Sequence, residues 1–479
     1  MPEYDSSAPQ REAALATQGG WVLGGTLAAG LASTGVMLLL AGILTPREFG
    51  IVAVAIVIFE GACVGLSPGL AQALHSIKGS DDHDRAALGM ALLAGATVAV
   101  LGLPLAPVLT GLLGVPEATT LSWAALLAVM PRRWNEVRVA QYERDLNFSK
   151  PNTLVAISAI AGGVTAVVAA IAGAGPWALL LQLVATELFT AIALSAFGPQ
   201  PVIPGWDGAA VRDLLHFSRK LIGNSIAVYG YTNLDDVVVA RVAGPASLGA
   251  YNLAYRIANL IALAIARPAQ RVLLPTLRAF QFSGDGWQAP FVRTLGAVSW
   301  VSGIACAGVA FLGPGALELA YDGRWEESYL PLQIFAFYAA FRAIGALTGT
   351  VFLASGRPAL VMRIASWQLV ALALLIIPAT LAYGHVGAAI AVTLPLAGGV
   401  TYALITASRI IRVSPIIAIR LVVLRWLAAA GVGIASSLIH AYVGGWVGLA
   451  AAGVAIIGTA VPATLIGPFG LRRPPRVPG

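Results

Sequence analysis

Charge is scarce in this chain. Asp, Glu, Lys and Arg make up 11% of its 479 residues and hydrophobic residues 58%, where a soluble domain carries roughly 25% charged residues. That excludes a soluble globular protein. Cysteine is nearly absent: Cys63 and Cys306 stand alone in apolar runs, with neither a CxxC pair nor a disulfide framework, so redox and metal roles have no ligand set. The five histidines are scattered. His75 and His83 share the polar stretch HSIKGSDDHDR, which reads as a solvated loop, and no metal site is assigned. Also missing is chain for an extramembrane domain, because about fourteen spans of ~22 residues leave roughly eleven residues per connection or tail. Most catalytic architectures are thereby excluded, and function falls to side chains inside the bilayer or at its faces. The first nineteen residues lack the basic region and cleavage site of a secretory signal, so Trp21 to Leu44 reads as a retained first span.

What is present is a long series of apolar runs. They predict an all-α polytopic membrane protein with spans at about 20–44, 48–74, 86–113, 119–141, 151–173, 176–198, 219–242, 247–274, 290–313, 329–354, 359–383, 386–408, 418–441 and 444–468. Tails are expected at 1–19 and 469–479, with lobes of six spans at 20–198 and 219–408 and two further spans at 418–468. Sorted by side, the connections and tails hold sixteen Lys and Arg on one face and only Arg47 and Arg324 on the other. That asymmetry predicts both termini in the cytoplasm. The stretch around Glu318, Asp322, Glu326 and Glu327 is then external, and the net charge of +7 follows from topology rather than from nucleic-acid binding. The break PQPVIPGWDGAAVRDLLHFSRK sets Val211, Leu214, Leu215 and Phe217 against Arg212, Asp213 and Arg219. It predicts a cytoplasmic surface helix over 199–218 joining the two halves.

The halves repeat. LTPREFGIVAVA, from Leu44 to Ala55, matches AGPASLGAYNLA, from Ala243 to Ala254, with Pro46, Gly50 and Ala55 against Pro245, Gly249 and Ala254 at one offset. Arg132 pairs with Arg342, and Lys150-Pro151 with Arg357-Pro358. Same-orientation repeats imply two bundles around an axis along the membrane normal, which is transporter architecture.

Within the spans lie charges that the bilayer penalises by ~2.5 to 3.5 kcal/mol each at mid-depth, so each needs a partner, a wet cavity or a role. Arg132 and Arg133 stand within a turn of Glu136. Tyr229, Asn233 and Asp236 form one helical stripe, with Asp235 beside it, and Asn252, Arg256 and Asn259 form another. Asp235 or Asp236 falls at a depth suited to Arg256. Arg132 and Arg342 both come near the midplane, Glu60 and Glu187 read as lone acids, and Arg132, Arg267 and Arg342 have no evident acid on their own helix turn. A cavity lined mainly by arginine suits an anion, and guanidinium forks suit phosphate.

These residues resemble a known group. LTPREFGIVAVA, YERDLNF (Tyr142 to Phe148), the run FSRKLIGNSIAVYGYTNLDDVVVARVAGPASLGAYNLAYRIANL and LELAYDGRW, in that order over some 450 residues, are similar to the oligosaccharide flippase family of the multidrug, oligosaccharidyl-lipid and polysaccharide exporter superfamily, and most to the branch that exports exopolysaccharide units. The resemblance implies alternating-access transfer of a polyprenyl-diphosphate-linked oligosaccharide to the outer leaflet, beside glycan polymerases and glycosyltransferases, with no cofactor beyond a coupling proton or sodium ion. It implies a diphosphate held by Arg132, Arg256 and Arg342 and a coupling acid at Asp235 or Asp236; the residues themselves add Arg133, Tyr229, Asn233, Asn252 and Asn259 as candidates for binding substrate and Glu60 and Glu136 as candidates for coupling. A drug or cation exporter, a membrane glycosyltransferase or polymerase, and a non-transporting scaffold are the alternatives. The first would favour acids over arginines, and the second a sizeable external loop with a catalytic acid.

Overall fold

A computed structural model describes residues 30–66, 69–76, 81–144, 147–197, 203–283 and 286–466. The two tails, the start of the first span and the first residues of the 199–218 segment lie outside them. The described residues form helices and no strand. In chain order these are α1 (Gly30–Ala41), α2 (Pro46–Leu66), α3 (Leu70–Ser76), α4 (Asp81–Leu112), α5 (Thr119–Leu127), α6 (Val129–Arg144), α7 (Ser149–Ile171), α8 (Trp177–Ala196), α9 (Gly208–Ser283), α10 (Gln288–Tyr321), α11 (Tyr329–Ala354), α12 (Pro358–Ile411), α13 (Pro415–Val443) and α14 (Gly445–Ile466). Eight helices among the described residues are long and apolar enough to cross a membrane. The chain is a multi-pass membrane protein.

Two of these helices each carry a pair of predicted spans. α9 breaks at Gly244, whose φ of 86° and ψ of 174° lie where only glycine is at ease. α12 breaks at Tyr383-Gly384, where the glycine has φ 59° and ψ −144°. The predicted fourth span divides instead into α5 and α6. Pro131 has no N–H to offer the carbonyl of Leu127, so the helix loosens at that turn.

Helix starts follow the local sequence. Thr45 and Glu48 form a reciprocal cap: the Thr45 backbone N–H donates to Glu48 Oε2 at 2.8 Å, and the Glu48 N–H donates to Thr45 Oγ1 at 3.3 Å, with Pro46 as the first helical residue. Part of the stretch expected as loop is helix. Asp81, Asp82 and Asp84 occupy the first turn of α4, where the helix dipole favours acids, and Arg144 takes Asp84 in a two-pronged pair at 2.8 and 2.7 Å.

The chain gathers into two compact units, Met1–Gly249 and Ala250–Gly479. In the first, α7 lies along α8, and α6 packs on α3, α4 and α8. The face of α7 that packs is built from small residues, Ser158, Ala159, Gly162, Ala166 and Ala170, which lets backbones approach where hydrophobicity offers no drive. The amphipathic segment after Gly208 is not a separate helix but the opening turns of α9. Val211 and Leu214 are buried against Leu70, Ala73, Leu88 and Val137, while Leu215 stays exposed. From Gly208 to the Gly244 break is ~54 Å of helix, more than a ~30 Å hydrocarbon core needs. In the second unit α10 packs on α11, α13 and α14, and α11 on α12. Trp426 of α13 meets the edge of Phe341 at 4.9 Å and lies against Gly303 of α10.

The matched motifs meet. A Cβ on Gly50 would collide with the Pro245 carbonyl, and one on Gly249 would collide with the Pro46 carbonyl. Each member of the repeat thus receives the other's proline carbonyl in the gap left by its glycine.

Candidate functional site

A second repeated feature becomes visible in the structure. A 3-10 turn at Pro116–Ala118 precedes α5, and another at Glu326–Ser328 precedes α11. These turns share one sequence offset with Arg132 and Arg342, so each arginine lies at the same distance beyond its turn. Equivalent positions therefore present equivalent guanidiniums, one in each unit.

Their surroundings differ. Arg132 Nη1 donates to Glu187 Oε1 at 2.8 Å and its Nε faces Glu136 Oε1 at 3.3 Å. Arg133 Nη1 donates to Glu136 Oε2 at 2.6 Å. Asn135 Nδ2 donates to the Glu187 carboxylate and to its backbone carbonyl, each at 2.9 Å. Glu60, half-buried on α2, lies within electrostatic reach of both arginines and of Glu136 and Glu187. The expectations that Arg132 has no evident acid on its own helix turn and that Glu187 is a lone acid are overturned. Glu136 is one helical turn along on the same face, and Glu187, far off in sequence, is brought over by the packing of α6 on α8. The cluster is nonetheless not sealed, since the side chains of Arg132 and Glu136 keep 41% and 37% of their exposure while Glu187 keeps 7%.

Among the described residues, no carboxylate is a hydrogen-bond partner of Arg342. Its Nη1 donates to Asn259 Oδ1 at 2.7 Å and to the Tyr338 hydroxyl at 3.2 Å, and its guanidinium carbon stands 5.9 Å from the Tyr338 ring centre. Around it Tyr251, Tyr255, Phe335 and Tyr338 pack edge to face or tilted, with centroids 5.0 to 6.0 Å apart, and the Tyr255 and Tyr338 hydroxyls are 3.5 Å apart. Amide, phenol and ring face hold a guanidinium in place without neutralising it. Such a group can still take an anion; of the rings beside it Tyr251, Phe335 and Tyr338 are buried and only Tyr255 is half-buried.

Other expected residues are placed as follows. The Tyr229 hydroxyl donates to the Val57 carbonyl at 2.9 Å, and Asn233 Nδ2 donates to the Tyr229 carbonyl one turn back, at 3.1 Å; these polar groups join helices or cap their own. Asp235 is buried and Asp236 half-buried. Asn252 is half-buried and Arg256 exposed on α9. Sequence reasoning missed Tyr338 and Phe335, although they stand four and seven residues before Arg342 on one helical face. Arg138, in the same run as Arg132, is buried and donates to Gln141 at 2.9 Å and to the Leu194 carbonyl at 3.0 Å. No cluster able to hold a metal ion occurs among the described residues, and both cysteines are buried free thiols.

Comparison with known proteins places this arrangement. Residues 39–330 match the family model described as polysaccharide biosynthesis protein. The chain is 24% identical over 361 residues to the lipopolysaccharide biosynthesis protein WzxC of Escherichia coli (strain K12), covering 75% of this chain and 73% of that one. It is 33% identical over 302 residues to the succinoglycan biosynthesis transport protein ExoT of Rhizobium meliloti (strain 1021), covering 62% of this chain and 60% of ExoT. In fold it is similar to the lipid II flippase MurJ in an inward closed conformation, with a TM-score of 0.73 over 92% of this chain and 97% of that one at 13% identity. An inward-facing multidrug resistance transporter of the MATE family gives a TM-score of 0.60 over 82% and 94% of the two chains, again at 13% identity.

Proposed function

The chain belongs to the polysaccharide biosynthesis protein family, and we propose that within it the protein is a flippase, a transporter and not a catalyst, that carries a polyprenyl-diphosphate-linked oligosaccharide across the membrane by alternating access. The observation that carries this reading is Arg342, a guanidinium held on Asn259 and Tyr338 rather than on an acid, beside a wall of aromatic rings. A diphosphate offers oxygen pairs to a guanidinium fork. Arg256, Asn252 and Asn259 on α9 extend the polar surface on which the headgroup would travel. The prenyl tail stays in lipid.

The first unit serves a different step. Arg132 and Arg133 are already matched by Glu136 and Glu187, and Glu60 makes no hydrogen bond to any described residue. Three carboxylates around two guanidiniums suit an exchangeable cation, proton or sodium, so this cluster is assigned to coupling. Asp235 and Asp236 are further candidates on the same unit. Both termini lie in the cytoplasm and the protein sits in the inner membrane, beside the glycosyltransferases that supply its substrate and the polymerase that uses it. Outward transfer of two negative charges from a cell that is negative inside releases ~4.6 kcal/mol per 100 mV, which favours export.

A cation exporter of the same fold is the second reading, and the acid-rich cluster of the first unit favours it. The unmatched arginine of the second unit speaks against a cationic cargo. The experiment that separates them reconstitutes the protein into vesicles loaded with a lipid-linked oligosaccharide and measures how much of the sugar becomes accessible to an external glycosidase. Accelerated access that Arg342→Ala removes supports the flippase. Equal access with and without protein, together with uptake of a cationic dye, overturns it.

A further inference from the structure

Between the two limbs of α12, on either side of the Tyr383-Gly384 break, lies a groove of about 360 Å³ lined in part by Arg363, Trp367, Gly398, Gly399 and Tyr402. It lies within the second unit and apart from Arg342 in sequence and lining. Along one limb Arg363 comes ~8 Å and Trp367 ~14 Å from Pro358, while along the other Tyr402 comes ~14 Å before Ile411. The groove thus has a cation near the paired helix ends and two aromatic rings at one level deeper in; Gly398 opens onto free space, while the Gln368 side chain lies against Gly399. Trp367 and Tyr402 are 74% and 56% exposed, on a helix little buried by the rest of the protein.

Arg363 makes no hydrogen bond or ion pair with any described residue. From Ser328 to Gly479 the chain has ten arginines and no Asp or Glu, so this part of the sequence supplies no carboxylate to neutralise it. Arg357, Arg409 and Arg412 bracket the same end of the two limbs. An arginine on a membrane-facing surface extends its head toward the interface and takes its counter-charge there. What the interface offers is phosphate.

We propose that this groove is a binding site for an anionic glycerophospholipid of the leaflet at the Arg357–Arg412 end. Its phosphodiester pairs with Arg363, and an acyl chain lies over Gly398 between Trp367 and Tyr402. The volume suits a headgroup and the first part of a chain, not an oligosaccharide. The neighbouring arginines favour a lipid of net negative charge over a zwitterionic one.

The test uses the full protein in phosphatidylcholine nanodiscs titrated with phosphatidylglycerol brominated on its acyl chains, reading tryptophan fluorescence. Saturable quenching is expected, with the saturable component lost in Trp367→Phe. Arg363→Gln weakens the apparent affinity about tenfold or more, the loss of one charge-assisted hydrogen bond to phosphate. Arg363→Lys, which keeps the charge, retains most of the selectivity and shows that the fold is intact. Equal quenching by brominated phosphatidylcholine, or an unchanged titration in Arg363→Gln, overturns the proposal. So does stoichiometric displacement of the brominated lipid by polyprenyl diphosphate, which would make the groove part of the transport path instead.

Discussion

Arg132 and Arg342 stand at equivalent places in a repeated sequence, each at the same distance beyond a 3-10 turn, yet the first sits in a net of carboxylates and the second on an amide and a phenol. The contrast extends to the units that carry them. Of 22 acids, 17 fall in Met1–Gly249 and five in Ala250–Gly479, while 13 of the 29 Lys and Arg fall in the first and 16 in the second. The first unit is therefore net negative and the second strongly positive. Repeats constrain where a polar side chain can be placed in a bilayer, but not what is placed opposite it. Divergence of the partners lets one position become an internal ion pair and the other an anion-seeking group.

The largest expected effect tests the matched side. Glu187→Ala leaves Arg132 and Asn135 without their shared acceptor, and removing one partner of a buried pair costs about 3 kcal/mol, the low end of the usual range because Arg132 is partly open to solvent. Thermal unfolding of the purified protein should show the loss, and the double variant with Arg132→Ala should recover part of it. An unchanged unfolding temperature would break the contrast at once. Arg342→Ala tests the other side. It should slow lipid-linked sugar transfer about thirtyfold, or ~2 kcal/mol, with little change in unfolding, since its partners Asn259 and Tyr338 are neutral and keep their own fold. A stability loss as large as that of Glu187→Ala would mean that Arg342 is structural after all.

Much of this was legible in the sequence, for identifiable reasons. Long apolar runs must be helices in lipid, because no other open structure satisfies the backbone there, and most predicted spans reappear as helices among the described residues, while 48–74 and 119–141 each divide into two. The Pro46/Gly50 and Pro245/Gly249 match was legible as a repeat, but not as a reciprocal contact, since which carbonyl fills a glycine's gap is a tertiary fact. Arg133 with Glu136 could be read because three residues is one helical turn. Arg132 with Glu187 could not, because 55 residues separate them and only the packing of α6 on α8 brings them together. Tyr338 was readable from its spacing to Arg342, four residues and one helical turn, but that it donates no charge and only positions the guanidinium is a tertiary fact.

The remaining predictions sharpen the same contrast by asking what the repeat does keep symmetric. Gly50→Ala and Gly249→Ala each push a methyl into a proline carbonyl, and backbone cannot step aside as a side chain can, so each should cost about 1.5 kcal/mol. If packing is the symmetric part of the repeat, the two penalties in unfolding temperature agree, whereas those of Arg132→Ala and Arg342→Ala do not. A large difference between the glycines would show that packing has diverged as far as charge.

The smallest effect isolates burial from geometry. Arg47 and Glu117 lie 2.6 Å apart, as close as Arg133 and Glu136, but with side chains 61% and 50% exposed against 9% and 37%. In water two mobile side chains gain little by meeting, so Arg47→Ala should cost less than ~0.5 kcal/mol and less still at high salt. Arg133→Ala removes a contact of the same length from a low-dielectric setting and leaves Glu136 with only its longer contact to Arg132, so its cost should be several times greater. Were the two substitutions equal in unfolding measurements, distance alone would govern these pairs. The environment that distinguishes Arg132 from Arg342 would then lose its physical basis.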